Sequence, residues 1–262
     1  MLFRSWSTRD SSSSVSSGRA DSSTPRLDTT ASGGSRRSSC SAASAASANL
    51  VFAGGRLEYT GSTASVNRGF SLAGDGGGIS VTQTSALLTL SGTITADAGR
   101  FTKGGPGNLR FTGTSNVLGR VGDGAGFVVE SGSMTLAGAS PVPTSQINTV
   151  TGDVQVGGLA DAPVSMTLTN STLNLTGWLS LGHETGTANS TTTLTRAAVT
   201  AANLRMGYGT VANSGSHSMS LTNSTVAITG ETLIGNISPS VGTLSVQGTS
   251  RSEEHTSELQ SR

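Results

Sequence analysis

The chain has 262 residues, a mean hydropathy of −0.07 and a formal net charge of +1. Aromatic residues make up 4% and charged residues 12%, while glycine alone occurs 36 times. This balance excludes a strongly basic nucleic-acid binder, and the short apolar runs exclude a membrane-spanning helix. The single cysteine, Cys40, excludes a disulfide framework within the chain.

Residues 1–48 come first and stand apart. Asp10-Ser-Ser-Ser-Ser14, Ser35-Arg-Arg-Ser-Ser-Cys40 and Ser41-Ala-Ala-Ser-Ala-Ala-Ser47 are low-complexity, with almost no branched apolar side chains. Such a segment cannot bury enough surface to offset its ordering entropy and is expected to be disordered. A frame-shifted or chimeric stretch explains the same composition equally well. Arg36-Arg37 is not a twin-arginine export signal, because no apolar region follows it.

The interpretable body is residues 49–250, where eight basic against nine acidic side chains give a net charge of −1. Its first part, 49–165, is a series of short strand patterns. These are Leu57–Tyr59, Phe70–Leu72, Ile79–Val81, Leu87–Leu90, Leu109–Phe111, Phe127–Val129 and Met134–Leu136. Each is bounded by Gly, Asn, Asp or Ser, the residues that permit turns. No segment keeps a helical apolar stripe; only Ser85–Leu90 and Ala197–Ala202 are ambiguous.

The second part, 166–250, repeats itself. Met166-Thr-Leu-Thr-Asn-Ser-Thr-Leu173 leads to Trp178-Leu-Ser-Leu-Gly182, Thr192-Thr-Leu-Thr-Arg-Ala-Ala-Val199 to Asn203-Leu-Arg-Met-Gly207, and Met219-Ser-Leu-Thr-Asn-Ser-Thr-Val226 to Thr232-Leu-Ile-Gly235. Thr243-Leu-Ser-Val246 opens a fourth copy. The anchors Leu168, Leu194, Leu221 and Leu244 are 26, 27 and 23 residues apart. A period in the twenties built of strand patterns indicates a solenoid, because each unit is too small to bury its own apolar face.

A β-sandwich also has short, regularly spaced strands, but it does not require one residue type at one place in every unit. The chain is therefore read as all-β, a right-handed parallel β-helix of roughly eight coils, on the order of 40 Å long at the usual strand spacing. Leu168, Leu194 and Leu221 are expected to stack, as are Leu173, Val199 and Val226, and Leu181, Met206 and Ile234. Gly182, Gly207 and Gly235 open the turn after each third strand, where a positive φ is cheapest.

Residues 251–262 break the local habit, being densely charged and free of glycine. Arg251-Ser-Glu-Glu-His-Thr-Ser-Glu-Leu-Gln-Ser261 matches the translation of a sequencing adapter, and Met1-Leu-Phe-Arg-Ser5 matches its opposite strand. Both ends thus read as cloning or assembly scars on a gene cut at either side. Residues 1–48 and 251–262 are expected to pack little against the coils, and the coil at Thr243–Val246 to drive self-association through uncovered strand edges.

Phe101-Thr-Lys-Gly-Gly-Pro-Gly-Asn-Leu-Arg-Phe-Thr-Gly-Thr-Ser-Asn116 resembles the autotransporter-associated β-strand repeat. The likeness runs through Lys103, Gly105, Gly107, Leu109, Phe111, Gly113 and Asn116. Gly54–Gly61 with Arg68–Phe70 is similar to the segment that often precedes that repeat, and the second half resembles, more loosely, glycine-punctuated repeats of the same proteins. After Asn116 the chain departs from the family pattern, with Val117-Leu-Gly-Arg-Val-Gly122. The resemblance covers about residues 50–250. It implies a passenger or stalk on a bacterial envelope: a non-catalytic adhesive module, cell-surface, outer-membrane-associated or secreted, with a surface polysaccharide or other cells as partner.

Chemistry is sparse. Gly104–Leu109 starts like a calcium-binding nonapeptide, but Leu109 occupies the position requiring Asp. Gly76-Gly-Gly78 and Gly122–Gly126 lack the Gly-Lys-Ser/Thr of a phosphate loop. Asp75, Asp97, Asp123, Asp153 and Asp161 occur singly, whereas glycoside hydrolysis needs two carboxyls within about 5–9.5 Å. Asp97 and Asp123 are 26 residues apart and could stack on adjacent coils, though a solvated turn accounts for both. His183 and His217 lie in Gly/Ser loops, neither spaced for a metal nor near a nucleophile. The sequons at Asn170, Asn174, Asn189, Asn223 and Asn236 are compositional, although Asn170 and Asn223 suit a stacked ladder. No catalytic, cofactor or metal residue is assigned. The alternative function is a polysaccharide-binding or carbohydrate-degrading β-helix enzyme, and two acids within reach in a groove, beside an aromatic or Arg, would favour it.

Overall fold

A computed structural model describes residues 50–157, 162–183, 189–208, 215–235, 240–248 and 251–254. The low-complexity segment, Asp161, the sequon at Asn236 and residues 255–262 lie outside the described residues. So do the side chains of Asp123 and His183.

The strands wind in coils. Coil 1 holds β1 (Val51–Phe52), β2 (Arg56–Tyr59) and β3 (Ala64–Val66). Coil 2 holds β4 (Phe70–Leu72), β5 (Gly76–Val81) and β6 (Leu87–Leu90), and coil 3 holds β7 (Ile94–Ala96), β8 (Gly99–Gly104) and β9 (Asn108–Phe111). In coil 4 one long strand, β10 (Ser115–Val129), covers two faces before β11 (Gly132–Ala137). Coil 5 repeats this with β12 (Ile147–Val156) and β13 (Val164–Thr169). Coil 6 has β14 (Thr172–Leu175), β15 (Trp178–His183) and β16 (Ser190–Thr195); coil 7 has β17 (Ala198–Ala201), β18 (Asn203–Tyr208) and β19 (Ser216–Thr222). Coil 8 has β20 (Thr225–Ile228), β21 (Thr232–Ile234) and β22 (Val241–Gln247), and β23 (Arg251–Glu254) begins a further turn.

Each strand pairs in parallel with its equivalent one coil away. One sheet, of eight strands, runs β3-β6-β9-β11-β13-β16-β19-β22; the other, of fifteen, folds around two faces joined through β10 and β12. The fold is a parallel β-solenoid, and the described residues contain no α-helix, only a single 3-10 turn at Pro143–Ser145.

The expected ladders are present. Leu168 pairs with Leu194 and Leu194 with Leu221; Leu173 pairs with Val199 and Val199 with Val226; Leu181 pairs with Met206 and Met206 with Ile234. All but the terminal Ile234 are buried. Both ambiguous segments carry strands, β6 and β17. The anchor Leu244 is displaced: it pairs with Met219, and Val246 pairs with Leu221. Inward positions recur every two residues, so a two-residue shift keeps apolar side chains inside and hides from the pattern.

The interior changes character along the stack. Coils 1–4 are filled by phenylalanine: Phe70 lies 5.2 Å from Phe52 and 5.3 Å from Phe101, and Phe101 lies 5.8 Å from Phe127 between ring centroids. Coils 5–8 are aliphatic. Thr192 interrupts them, fully buried between Met166 and Met219 with a hydroxyl that has no hydrogen-bond partner. An orphaned buried hydroxyl costs roughly 1–3 kcal/mol. Thr192→Val is therefore expected to raise stability by about 1–2 kcal/mol, seen as a Tm increase of a few degrees.

Asn170 and Asn223 do share one stack, but Arg196 stands between them. All three hold positive φ, of 51°, 47° and 50°, and Arg196 Nε donates to Asn170 Oδ1 at 2.9 Å. The tail also differs from expectation: Arg251–Glu254 pairs in register with β20, from Thr225 with Arg251 to Ile228 with Glu254. Strand pairing is made by backbone groups, and an open parallel edge accepts almost any sequence. After Asn116, where the repeat pattern lapses, β10 slips register between Arg120 and Ala125 and bulges at the corner between its two faces.

Candidate functional site

Three polar arrangements are built into the coils, and a fourth lies on their outer surface. The first is Lys103, which occupies an inward ladder position between Ile79 and Val129 and is fully buried. Its Nζ donates to the carbonyls of Gly104 at 3.0 Å, Gly105 at 2.7 Å and Ser131 at 2.8 Å. The three ammonium donors are thus all used, tying the turn of coil 3 to that of coil 4. Burial pushes its pKa down to about 8. Lysine in the Lys-Gly-Gly-Pro-Gly stretch is structural here, because its charged end is consumed by turn carbonyls.

The second is a buried amide relay at the opposite corner. Gln146 Nε2 donates to the carbonyls of Phe111 and Gly113, Asn148 Nδ2 donates to Gln146 Oε1 at 3.2 Å, and Asn116 Nδ2 donates to Asn148 Oδ1 at 2.9 Å. These side chains satisfy backbone groups left over where coils 3, 4 and 5 turn.

The third surrounds His217. Rather than in a loop away from any nucleophile, His217 lies within β19, fully buried, with Nδ1 2.9 Å from Ser190 Oγ. A Cβ at Gly182 would collide with the imidazole ring, so that glycine, at φ 66°, makes room for it. His183 likewise ends a strand, β15, rather than lying in a loop. The Ser190–His217 pair has no exposed surface, so it can activate nothing brought from solvent. Burial holds the His217 pKa below 6.5. As pH falls below 6.5 the unfolded chain takes up a proton first, so stability falls through that window and is constant above it. The urea midpoint is expected to decrease between pH 7 and 5, and His217→Gln to flatten that decrease.

The four aspartates of that set that fall among the described residues lie about one corner, between the two faces of the larger sheet. Asp75 follows β4, Asp97 follows β7, Asp123 lies in the bulge of β10, and Asp153 is in β12. Asp153 Oδ1 accepts the backbone N–H of Trp178 at 2.8 Å, and its Oδ2 lies 3.7 Å from Arg205. The Arg205 guanidinium sits 4.9 Å above the Trp178 ring, and its Nε donates to Ser180 Oγ at 2.6 Å. The described contacts of Asp153 are thus a backbone donor and a guanidinium, a bracing role between coils rather than an acid paired with another acid. Among the described residues no group of three or more His, Cys, Asp or Glu could hold a metal ion.

The fourth arrangement is a groove of about 290 Å³ on the outside of the eight-stranded sheet. It runs along the coil axis from Thr84 in coil 2 to Thr191 in coil 6, rimmed by Pro106 and Pro163. No single repeat carries a sign of it, since only the register of five coils brings these positions into one line.

Neither a family model nor a solved structure matches the chain. One curated protein does, the adhesin BmaC autotransporter of Brucella suis biovar 1 (strain 1330), which is 34% identical over 168 residues. The match takes in 60% of this chain and 5% of that protein. The chain is thus similar to a short part of an autotransporter adhesin and spans a small fraction of its length.

Proposed function

We propose that the chain is a non-catalytic adhesive repeat module of an exported bacterial protein, carried at the cell surface, associated with the outer membrane or secreted. The observation that carries this reading is the 34% identity to part of an autotransporter adhesin, falling on a chain that folds as stacked parallel coils. Such a stack offers long, regular outer faces and needs no cavity to do so. Deleting residues 50–250 from the parent protein should abolish attachment of the cells to their surface while export continues. Unchanged attachment would refute it.

End-to-end self-association belongs to the same proposal. Ile234, Val241 and Val246 of coil 8 are 43%, 54% and 46% exposed, and a ladder end of this kind favours pairing with a second copy. Sedimentation that shifts with protein concentration supports this; a monomer at all concentrations argues against it.

The enzymatic alternative needs a second aspartate carboxyl within about 9.5 Å of Asp153, beside Arg205 and Trp178. Release of new reducing ends from a polysaccharide, abolished by Asp153→Asn, would establish it over the adhesive reading.

A further inference from the structure

We infer that the groove on the eight-stranded sheet is a binding site for an extended, neutral polysaccharide lying parallel to the coil axis. This rests on the adhesive reading and deepens it by naming the surface and the chemistry of the partner.

The floor of the groove is a single file of polar side chains locked in register. Asn108 pairs with Ser133, Ser133 with Ser165 and Ser165 with Thr191, all four lining the groove; Leu87 of coil 2 precedes them, and Ser218 and Thr243 continue the file beyond the groove. Successive members of the file are about 4.8 Å apart, the spacing of paired strands. An extended β-linked hexose chain advances by a closely similar distance per sugar, so each ring over coils 3–6 meets one hydroxyl or amide, and a ring over coil 2 meets Leu87. A second file runs beside it, Arg110, Thr135, Thr167, Thr193, Ser220 and Ser245. It lies two residues along each strand, about 6.6 Å away.

Three features select the occupant. None of the ten described residues lining the groove is ionisable, and the exposed Arg110 beside Asn108 is the one cation among the described residues of the two files, too little to hold a polyanion such as a sulfated glycan or nucleic acid. The Oγ atoms of Ser133 and Ser165 make no hydrogen bond among the described residues and are half-exposed, so both can donate and accept. The backbone N–H and C=O groups of this sheet point along the axis and are already paired between coils. A peptide laid in the groove would find no backbone partners there, whereas a sugar polymer brings its own hydroxyls to a hydroxyl surface. From coil 2 to coil 6 the groove spans four inter-coil steps, about 19 Å at the strand spacing, enough for four or five sugars.

The test is calorimetric titration of the full chain with trimers and hexamers of β-1,4-linked glucose, N-acetylglucosamine and mannose, with heparin as the polyanionic probe. At least one neutral series should bind, with the hexamer at least ten-fold tighter than the trimer and little dependence on salt. Ser165→Arg and, separately, Ser133→Lys should each weaken that binding ten-fold or more. Asn174→Arg, on another face, should leave it unchanged, and circular dichroism of each variant confirms that the coils remain. No binding by any neutral series, binding indifferent to both groove variants, or a preference for heparin would each overturn the proposal. Attachment lost on deleting residues 50–250 but retained by Ser165→Arg would leave the adhesive reading standing and remove the groove.

Discussion

Leu194→Asp is expected to lower stability by several kcal/mol, enough to unfold the middle of the stack. Leu194 is fully buried, with Leu168 on the coil before it and Leu221 on the coil after. A carboxylate there would lose its hydration and gain no cation or donor. Leu194→Val, which keeps the ladder apolar, should cost far less, on the order of 1 kcal/mol. Urea titrations of the two variants separate the charge from the lost volume. A carboxyl in that position would have its pKa raised, so the deficit of the Asp variant relative to the wild type should shrink as pH falls through the raised value.

Phe101→Ala should have the second largest effect, roughly 3–5 kcal/mol. Phe101 is the hub of the aromatic interior, with ring centroids of Phe70, Phe111 and Phe127 at 5.3, 5.5 and 5.8 Å. Its removal opens a cavity facing three rings that cannot all collapse into it. Each coil contacts chiefly its neighbours, so the damage should be local. Hydrogen exchange should quicken in coils 1–4 and stay slow in β16 and β19. Uniform acceleration along the whole chain would show that the coils act as one cooperative unit instead.

What could be read from the amino-acid order follows from this geometry. The apolar ladders of coils 5–8 were readable because one residue type recurs at one inward position, and the backbone register preserves the recurrence. Lys103, Asn116, Asn148 and His217 were not. By side-chain type they belong to a surface, and only a polar partner on a neighbouring coil, a turn carbonyl or side-chain amide for the first three and the Ser190 hydroxyl for His217, makes an inward position tolerable. The displacement of Leu244 by two residues had a different origin, since alternation of period two cannot tell a ladder from its neighbour on the same face. The groove needed five registers at once and was invisible to any single repeat.

Because every strand is bonded only to the coils before and after it, the stack can lose an end coil without disturbing the rest. Leu168 to Leu194 measures one such coil at 26 residues. Pulled from one end, each departing coil would pay out about 90 Å of extended chain at roughly 3.4 Å per residue, while the remaining coils hold. Under load the molecule would lengthen in discrete steps rather than snap, and would rewind by laying strands back on the surviving edge. The length of each step is set by the repeat itself.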